Sequence, residues 1–407
     1  MLFDAQVPDL MNILIRAAIT GCVMYSAAGS SFAEIWTPTG ASVANWHSIA
    51  SSADGTRLIA AVEFGGIYLS TNSGATWALV PNSSSGSPSW ISVASSADGT
   101  HLAAVDYITG VYISADSGVH WNLSNLPHNV WFSVAISTDG SRLVAAAYFD
   151  SSFSNPGPIY TSQNFGASWT SNNLPLRNWN WVASSADGKK LAAAARGNSP
   201  NFFGPIYTST NSGTTWRSNS LPVEEWSTIA SSSDGNQLVA VALNGPICIS
   251  TNSGSVWISR ISPSPTNWFG VALSADGSKL VAGVLGGGIY TATNFGLTWQ
   301  TNNAPDTNWV GFAMSADGNK LFGVVYGGGI YSAGMTSQPR LGIARPSNSQ
   351  LALSWLVPST NFVLQQSCDL SSWTSVTDTP ALNLSNLCDE VTLSPTNSSG
   401  FFRLISQ

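Results

Sequence analysis

Short runs of alternating large and small residues follow one another along most of this chain, each opened by a tryptophan and broken by an Asp-Gly pair. Trp90-Ile-Ser-Val-Ala-Ser-Ser96 shows the alternation well, and it suits a strand packed on both faces. Ala97-Asp98-Gly99-Thr100 reads as a tight turn whose glycine supplies a positive φ. A second strand over His101–Val105, a third over Gly110–Ser114 and an outer strand starting at Trp121 complete the unit.

The unit recurs. Trp46/Asp54, Trp90/Asp98, Trp131/Asp139, Trp179/Asp187, Trp226/Asp234, Trp268/Asp276 and Trp309/Asp317 all keep an interval of eight residues. The repeat period is 41 to 48 residues, which is the length of a four-stranded propeller blade. The expected fold is therefore all-β: a seven-bladed β-propeller over residues 34–334.

Between the third and outer strands lies a second motif, Ser-x-Asp/Asn-x-Gly-x-x-Trp. It occurs from Ser70 to Trp77, Ser114 to Trp121, Ser162 to Trp169, Ser209 to Trp216 and Ser250 to Trp257; a copy from Ala292 to Trp299 lacks only the serine. Its acidic or amide positions are Asn72, Asp116, Asn164, Asn211, Asn252 and Asn294. The side chain there accepts turn amides, the glycine allows a left-handed bend, and the aromatic ring plugs between sheets. The motif resembles the Asp-box, or BNR repeat, of sialidases, sortilin-type receptors, some glucan hydrolases and photosystem assembly factors.

The seventh copy stops after Gly329-Ile-Tyr-Ser332, before any tryptophan. Trp36 lies ten residues before Trp46, the interval that also separates Trp121 from Trp131 and Trp169 from Trp179. Residues 34–38 are thus expected to supply the outer strand of the last blade and close the ring.

Residues 1–33 read as an export signal, with 1–10 as an over-called start: Met11 to Arg16 precedes an apolar stretch to Ala28, and Ala33 offers a cleavage site. A lipid anchor at Cys22 is the alternative, but only Ala17 to Gly21 would form its apolar region. Soluble secretion is the preferred reading, with no transmembrane segment in the mature chain. Residues 335–340 form a linker, and 341–407 carry short alternating strands that suggest a small C-terminal β-sandwich. That tail is similar to a module of secreted planctomycete and verrucomicrobial proteins. Cys368 and Cys388 are its disulfide candidates under oxidising export. Cys248 occupies a position filled by tyrosine in the other units and is expected to be a buried filler.

Charge narrows the partners. Charged residues make up 9% of the chain, the formal charge is −7, and no Lys/Arg cluster exists, which disfavours nucleic acid and anionic membrane. No Cys/His spacing suggests a metal, and no cofactor is expected. Of 17 tryptophans, fourteen recur at two fixed positions of the repeat, so core packing rather than ligand stacking is their expected role.

A binding surface is best sought where the repeats disagree. Nine residues after each turn aspartate the series reads Glu63, Tyr107, Tyr148, Arg196, Leu243, Leu285 and Tyr326. Asp106 and Asp150 neighbour it, and the third and fourth units carry longer loops there. Glu63, Asp106, Tyr107, Tyr148, Asp150 and Arg196 are the candidate ligand-binding residues, against the alternative of an ordinary rim whose aromatics pack on one another. The sialidase resemblance implies three arginines, a tyrosine–glutamate pair and an acid/base aspartate. Arg57 and Arg142 fall in Asp-Gly turns, and only Arg177 and Arg196 map to the loop face. The expectation is a monomeric, non-catalytic binding or scaffold propeller for a protein or glycan. The alternative is a carbohydrate-active enzyme, with Glu63, Asp106, Asp150, Glu224, Glu225 and Asp306 as its carboxylates. The four histidines, His47, His101, His120 and His128, occupy unrelated positions and support no Ser/His/Asp site.

Overall fold

The computed structural model describes residues 35–197, 202–219, 221–260 and 267–334, with Ile15–Ala18 and strand segments between Gly342 and Ser406. The chain divides into a unit of Ala33–Met335 and a unit of Met1–Phe32 with Thr336–Gln407. Every strand or helix assigned among the described residues is a β-strand, and no helix there is long and apolar enough to cross a membrane.

The larger unit is a succession of antiparallel meanders. The first runs Ala44–Ser51, Leu58–Val62, Ile67–Ser70 and Ala78–Leu79. The same order recurs over Trp90–Leu123, Val130–Ser171, Asn178–Ser218, Trp226–Arg260 and Trp268–Thr301. The final stretch supplies three strands, Thr307–Met314, Lys320–Gly328 and Ile330–Gly334. Thr37–Pro38 pairs with the last of these, Thr37 opposite Ser332 and Pro38 opposite Tyr331. Outer strands are only two or three residues long; Trp121 stands just before its strand, Asn122–Leu123.

The Asp-Gly turns that follow the first strands meet through a backbone circuit that returns to its start. The Ala53 amide donates to Ala97 O, Ala97 to Thr138, Thr138 to Ala186, Ala186 to Ser233, Ser233 to Ala275, Ala275 to Ala316 and Ala316 to Ala53, all at 2.7–2.9 Å. Above the circuit each first-strand tryptophan packs on the second strand of the preceding meander: Trp90 on Ile59 and Ala61, Trp131 on Ala103 and Val105, Trp226 on Ala192 and Ala194. Alanine and valine leave room for the indole, which explains why second strands are so poor in large residues. These seven tryptophans are at most 5% exposed. Each would forfeit roughly 4–6 kcal/mol of burial if left in water, an upper bound. The register slips at each one, with Trp46 opposite Val62 but Ser48 opposite Ala61, so the intervening residue bulges out of the ladder.

The Asp-Gly turns are built on a buried serine that precedes each aspartate by two residues. Ser96 Oγ donates to Asp98 Oδ1 (2.6 Å) and accepts the His101 amide (3.0 Å), while Asp98 Oδ1 also accepts the Thr100 amide (3.0 Å). The arrangement repeats at Ser52, Ser137, Ser185, Ser232, Ser274 and Ser315. Hydrogen bonds from Ser52, and then from Thr56, pull the Asp54 carboxyl down to about 2, and those from Ser96 and Thr100 do the same for Asp98. Gly99 completes its turn with φ of 70°.

The second motif is a hairpin staple. Ser70 Oγ donates to Asn72 Oδ1 (3.0 Å) and accepts the Gly74 amide (2.9 Å), and Asn72 Oδ1 accepts the Thr76 amide (2.9 Å). Ser73 and Gly74 both take positive φ, 56° and 85°, so the bend needs two left-handed residues in a row. The residue before the glycine also meets the neighbouring meander. Arg57 Nη1 donates to Ser117 Oγ (2.8 Å), and Arg142 Nη1 to Ser212 Oγ (3.0 Å). Where phenylalanine replaces that serine, at Phe165, the facing residue is His101, with ring centroids 4.9 Å apart.

The smaller unit contains two antiparallel sheets. One orders Gly342–Ser347, Gln350–Leu356, Cys388–Leu393 and Ala381–Asn383; the other orders Ile15–Ala18, Ser399–Ser406, Phe362–Ser367 and Thr374–Ser375. Leu353, Leu364 and Val391 are buried in it. Cys22 and Cys368 lie outside the described residues, and with Cys368 so does the disulfide expectation.

Candidate functional site

Antiparallel order puts the Asp-Gly turns and serine-glycine staples at one end of the meanders. The loops from second to third strands, and from outer to next first strands, lie at the opposite end. This loop face carries the six candidate residues. Backbone bonds knit it from one meander to the next. Tyr326 pairs with Asn45, whose carbonyl accepts the Glu63 amide (2.9 Å). Glu63 bridges to Ser89, whose carbonyl accepts the Tyr107 amide (2.9 Å). The Tyr107 carbonyl then accepts the Trp131 amide (3.2 Å), and Val130 pairs with Phe149. Residues that are far apart in sequence thus become neighbours along one rim.

The rim's aromatics pack on one another. Phe132, the bulged residue after Trp131, stands between Tyr107 (6.1 Å) and Tyr148 (5.2 Å), and Tyr148 meets Phe149 edge-on at 4.8 Å. All four rings are half-buried, so each shows part of its surface to solvent. Burial, and then the nearby Tyr148, raise the Tyr107 phenol above its usual value. Phe132 escaped the sequence reading; the clue was the residue after each first-strand tryptophan, which varies as His47, Ile91, Phe132, Asn180, Ser227, Phe269 and Val310.

The polar candidates are differently placed. Asp106 is 2% exposed, and its Oδ1 accepts the amides of Ile108 (3.0 Å) and Thr109 (2.6 Å) and the Thr109 hydroxyl (2.8 Å). It caps its own turn. Asp150 does the same in the long third-unit loop, where bonds from Ser152 and Asn155 bring its carboxyl down to about 2. Arg196 lies one meander further on, ion-paired through Nη2 with Glu225 and covered by the Phe202 ring, 4.4 Å from the guanidinium carbon. Arg177 sits over Tyr207 at 5.9 Å. Neither pair belongs to the Tyr107–Phe132–Tyr148 cluster.

Glu63 lies next to Tyr326 and, through the backbone of Ser89, one strand from Tyr107. Polar interaction with Glu63, followed by burial and the Glu63 charge, raises the Tyr326 phenol above its usual value. His47 Nδ1 contacts Ile91 O at 2.8 Å, and burial lowers the imidazole below its usual value. Donation from Nδ1 to that carbonyl leaves the neutral ring with its lone pair on Nε2. Among the described residues, no group of three or more His, Cys, Asp or Glu side chains could hold a metal ion. Cys248 is buried, 2% exposed, and burial pushes its thiol up to about 11.

This architecture is that of a β-propeller, a class fixed by comparison with solved structures. A structure described as YCF48 bound to D1 peptide matches with a TM-score of 0.56 and 17% identity, over 75% of this chain and 97% of that one. YCF48 from Cyanidioschyzon merolae matches with a TM-score of 0.56 and 15% identity, over 74% and 98%. Kuenenia stuttgartiensis hydrazine synthase matches with a TM-score of 0.56 and 14% identity, over 74% and 98%. No family model and no curated protein matches the chain.

Proposed function

We propose that the chain is a seven-bladed Asp-box propeller, exported from the cell, whose loop face binds a protein segment without catalysing a reaction. The closed amide circuit and the pairing of Thr37–Pro38 with Tyr331–Ser332 support seven blades with shared ends. The repeated staple of Ser70, Asn72 and Gly74 supports the Asp-box kinship. The alternating strands of residues 341–407 support a β-sandwich tail, and the leader pattern over residues 1–33 supports export.

One observation carries the binding reading: the Tyr107–Phe132–Tyr148 cluster sits half-exposed on the rim, while Asp106 and Asp150 are engaged within their own loops and Arg196 is paired with Glu225 of the next loop. Rigid aromatic surface favours recognition, because its contact area is ordered before a partner arrives. A solved propeller of similar fold is described as peptide-bound, which makes a protein segment the first partner to test and a glycan the second. Peptide and glycan arrays, run with a polysaccharide-degradation screen, test the proposal. Array binding that Tyr148→Ala lowers at least tenfold while the chain stays cooperatively folded at the assay temperature is the expected result. Turnover of a polysaccharide would replace it with the carbohydrate-active reading.

A further inference from the structure

The rim that joins the last, first, second and third meanders has an asymmetry that its aromatic character conceals. Asn45 is bonded to both Tyr326 and Glu63, and Ser89 to both Glu63 and Tyr107. Glu63 therefore stands one strand from Tyr326 on one side and one strand from Tyr107 on the other. Tyr107 continues through Phe132 to Tyr148.

Glu63 is half-buried, and among the described residues no lysine or arginine lies within ion-pair distance of it. Its neighbour Tyr326, whose phenol Glu63 raises, brings no charge. The nearby His47 is held toward its neutral form by burial and turns its Nδ1 to Ile91 O. A carboxylate without a counter-charge, beside the Tyr326 phenol and separated from Tyr107 by the strand of Ser89, attracts an ammonium or guanidinium group through its charge, and the neighbouring ring faces add to that attraction. Partial burial weakens solvent screening of that attraction. Next to it, the rings of Tyr107, Phe132 and Tyr148 offer only apolar and weakly polar surface.

We infer that this strip recognises an extended peptide segment in which a lysine or arginine precedes or follows aromatic, prolyl or aliphatic residues, the cation seated at Glu63 and the apolar residues on the Tyr107–Tyr148 rings. The inference rests on the loop-face reading above and specifies its partner. An acidic glycan is disfavoured at the same strip, because Glu63 would repel it.

The test uses the full chain and three fluorescent peptide pools with identical Pro/Tyr/Leu flanks and Lys, Gln or Glu at the central position. Binding is read by anisotropy at low and high salt. The Lys pool is expected to bind at least tenfold more tightly than the Glu pool, with the gap narrowing as salt rises. Glu63→Gln should shrink the gap to under threefold, while Tyr326→Phe, which keeps the carboxylate, should preserve it. Tyr148→Ala should weaken all three pools alike. A gap that survives Glu63→Gln, or equal binding of the Lys and Glu pools, overturns the inference and leaves the loop-face reading standing. Binding to none of the pools removes the peptide-binding reading and the inference together. Capture of neutral glycans that Tyr148→Ala abolishes and Glu63→Gln leaves unchanged also overturns it.

Discussion

Trp36 gives the sharpest test of how the propeller's two ends are joined. It is 5% exposed, and its ring lies 5.8 Å from Trp309 and 6.1 Å from Phe312. The corresponding tryptophans of the other meanders, such as Trp121 and Trp216, are only half-buried. Phe312 in turn fills space beside Gly283 and Gly323, where a Cβ would approach within 2.4 Å and 3.0 Å of its ring. No smaller neighbour can move in behind a lost indole without opening that packing. Truncation to alanine removes up to about 4–6 kcal/mol of apolar burial, and measured Trp→Ala losses in cores run to about 3–5 kcal/mol. A unit of this size loses roughly 2 °C per kcal/mol, so Trp36→Ala should lower its melting temperature by about 6–10 °C. The Trp36 Nε1 has no hydrogen-bond partner, so Trp36→Phe forfeits less, about 1–2 kcal/mol. Urea titration of the full chain, with Trp121→Ala as the half-buried comparison, measures all three. A Trp36→Ala loss below that of Trp121→Ala would refute the idea that the leading strand is integral to the last sheet.

Other outcomes follow from the turns and staples. Ser96→Ala should cost about 2–3 kcal/mol, because it leaves the His101 amide without its buried acceptor and takes a donor from Asp98; a urea midpoint within error of the parent would contradict that role for the serine under the turn. The carboxyls of Asp54 and Asp98, held near 2 against an unfolded value near 4, add stability that is fully present above pH about 4 and drains away as pH falls toward 2. Melting curves from pH 5 to 2 should show this loss, reduced in Asp98→Asn. Asp106→Ala should lower stability by about 1–3 kcal/mol through its uncapped turn, so any loss of binding must be read beside a melting curve. Cys248 should react with a thiol reagent at neutral pH only on unfolding, and fast labelling of the native chain would contradict its burial.

The local grammar of the chain was legible because it is local. Asp98 and Gly99 form a turn wherever two short strands must reverse, and Asn72, Ser73 and Gly74 staple a hairpin with atoms no more than four residues apart. Trp36 could also be aligned with the staple tryptophans, since its distance from Trp46 repeats an interval used elsewhere. A one-dimensional period cannot say which side chains meet across the ring. Tertiary packing alone set Phe132 between Tyr107 and Tyr148, turned Asp106 inward to its own turn, and paired Arg196 with Glu225. It also placed Glu63 beside Tyr326, at opposite ends of the propeller sequence, once the first and last meanders came together. Repeats encode strands and turns through neighbours in sequence, whereas the rim takes each residue from a different repeat, and its chemistry exists only when the circle is complete.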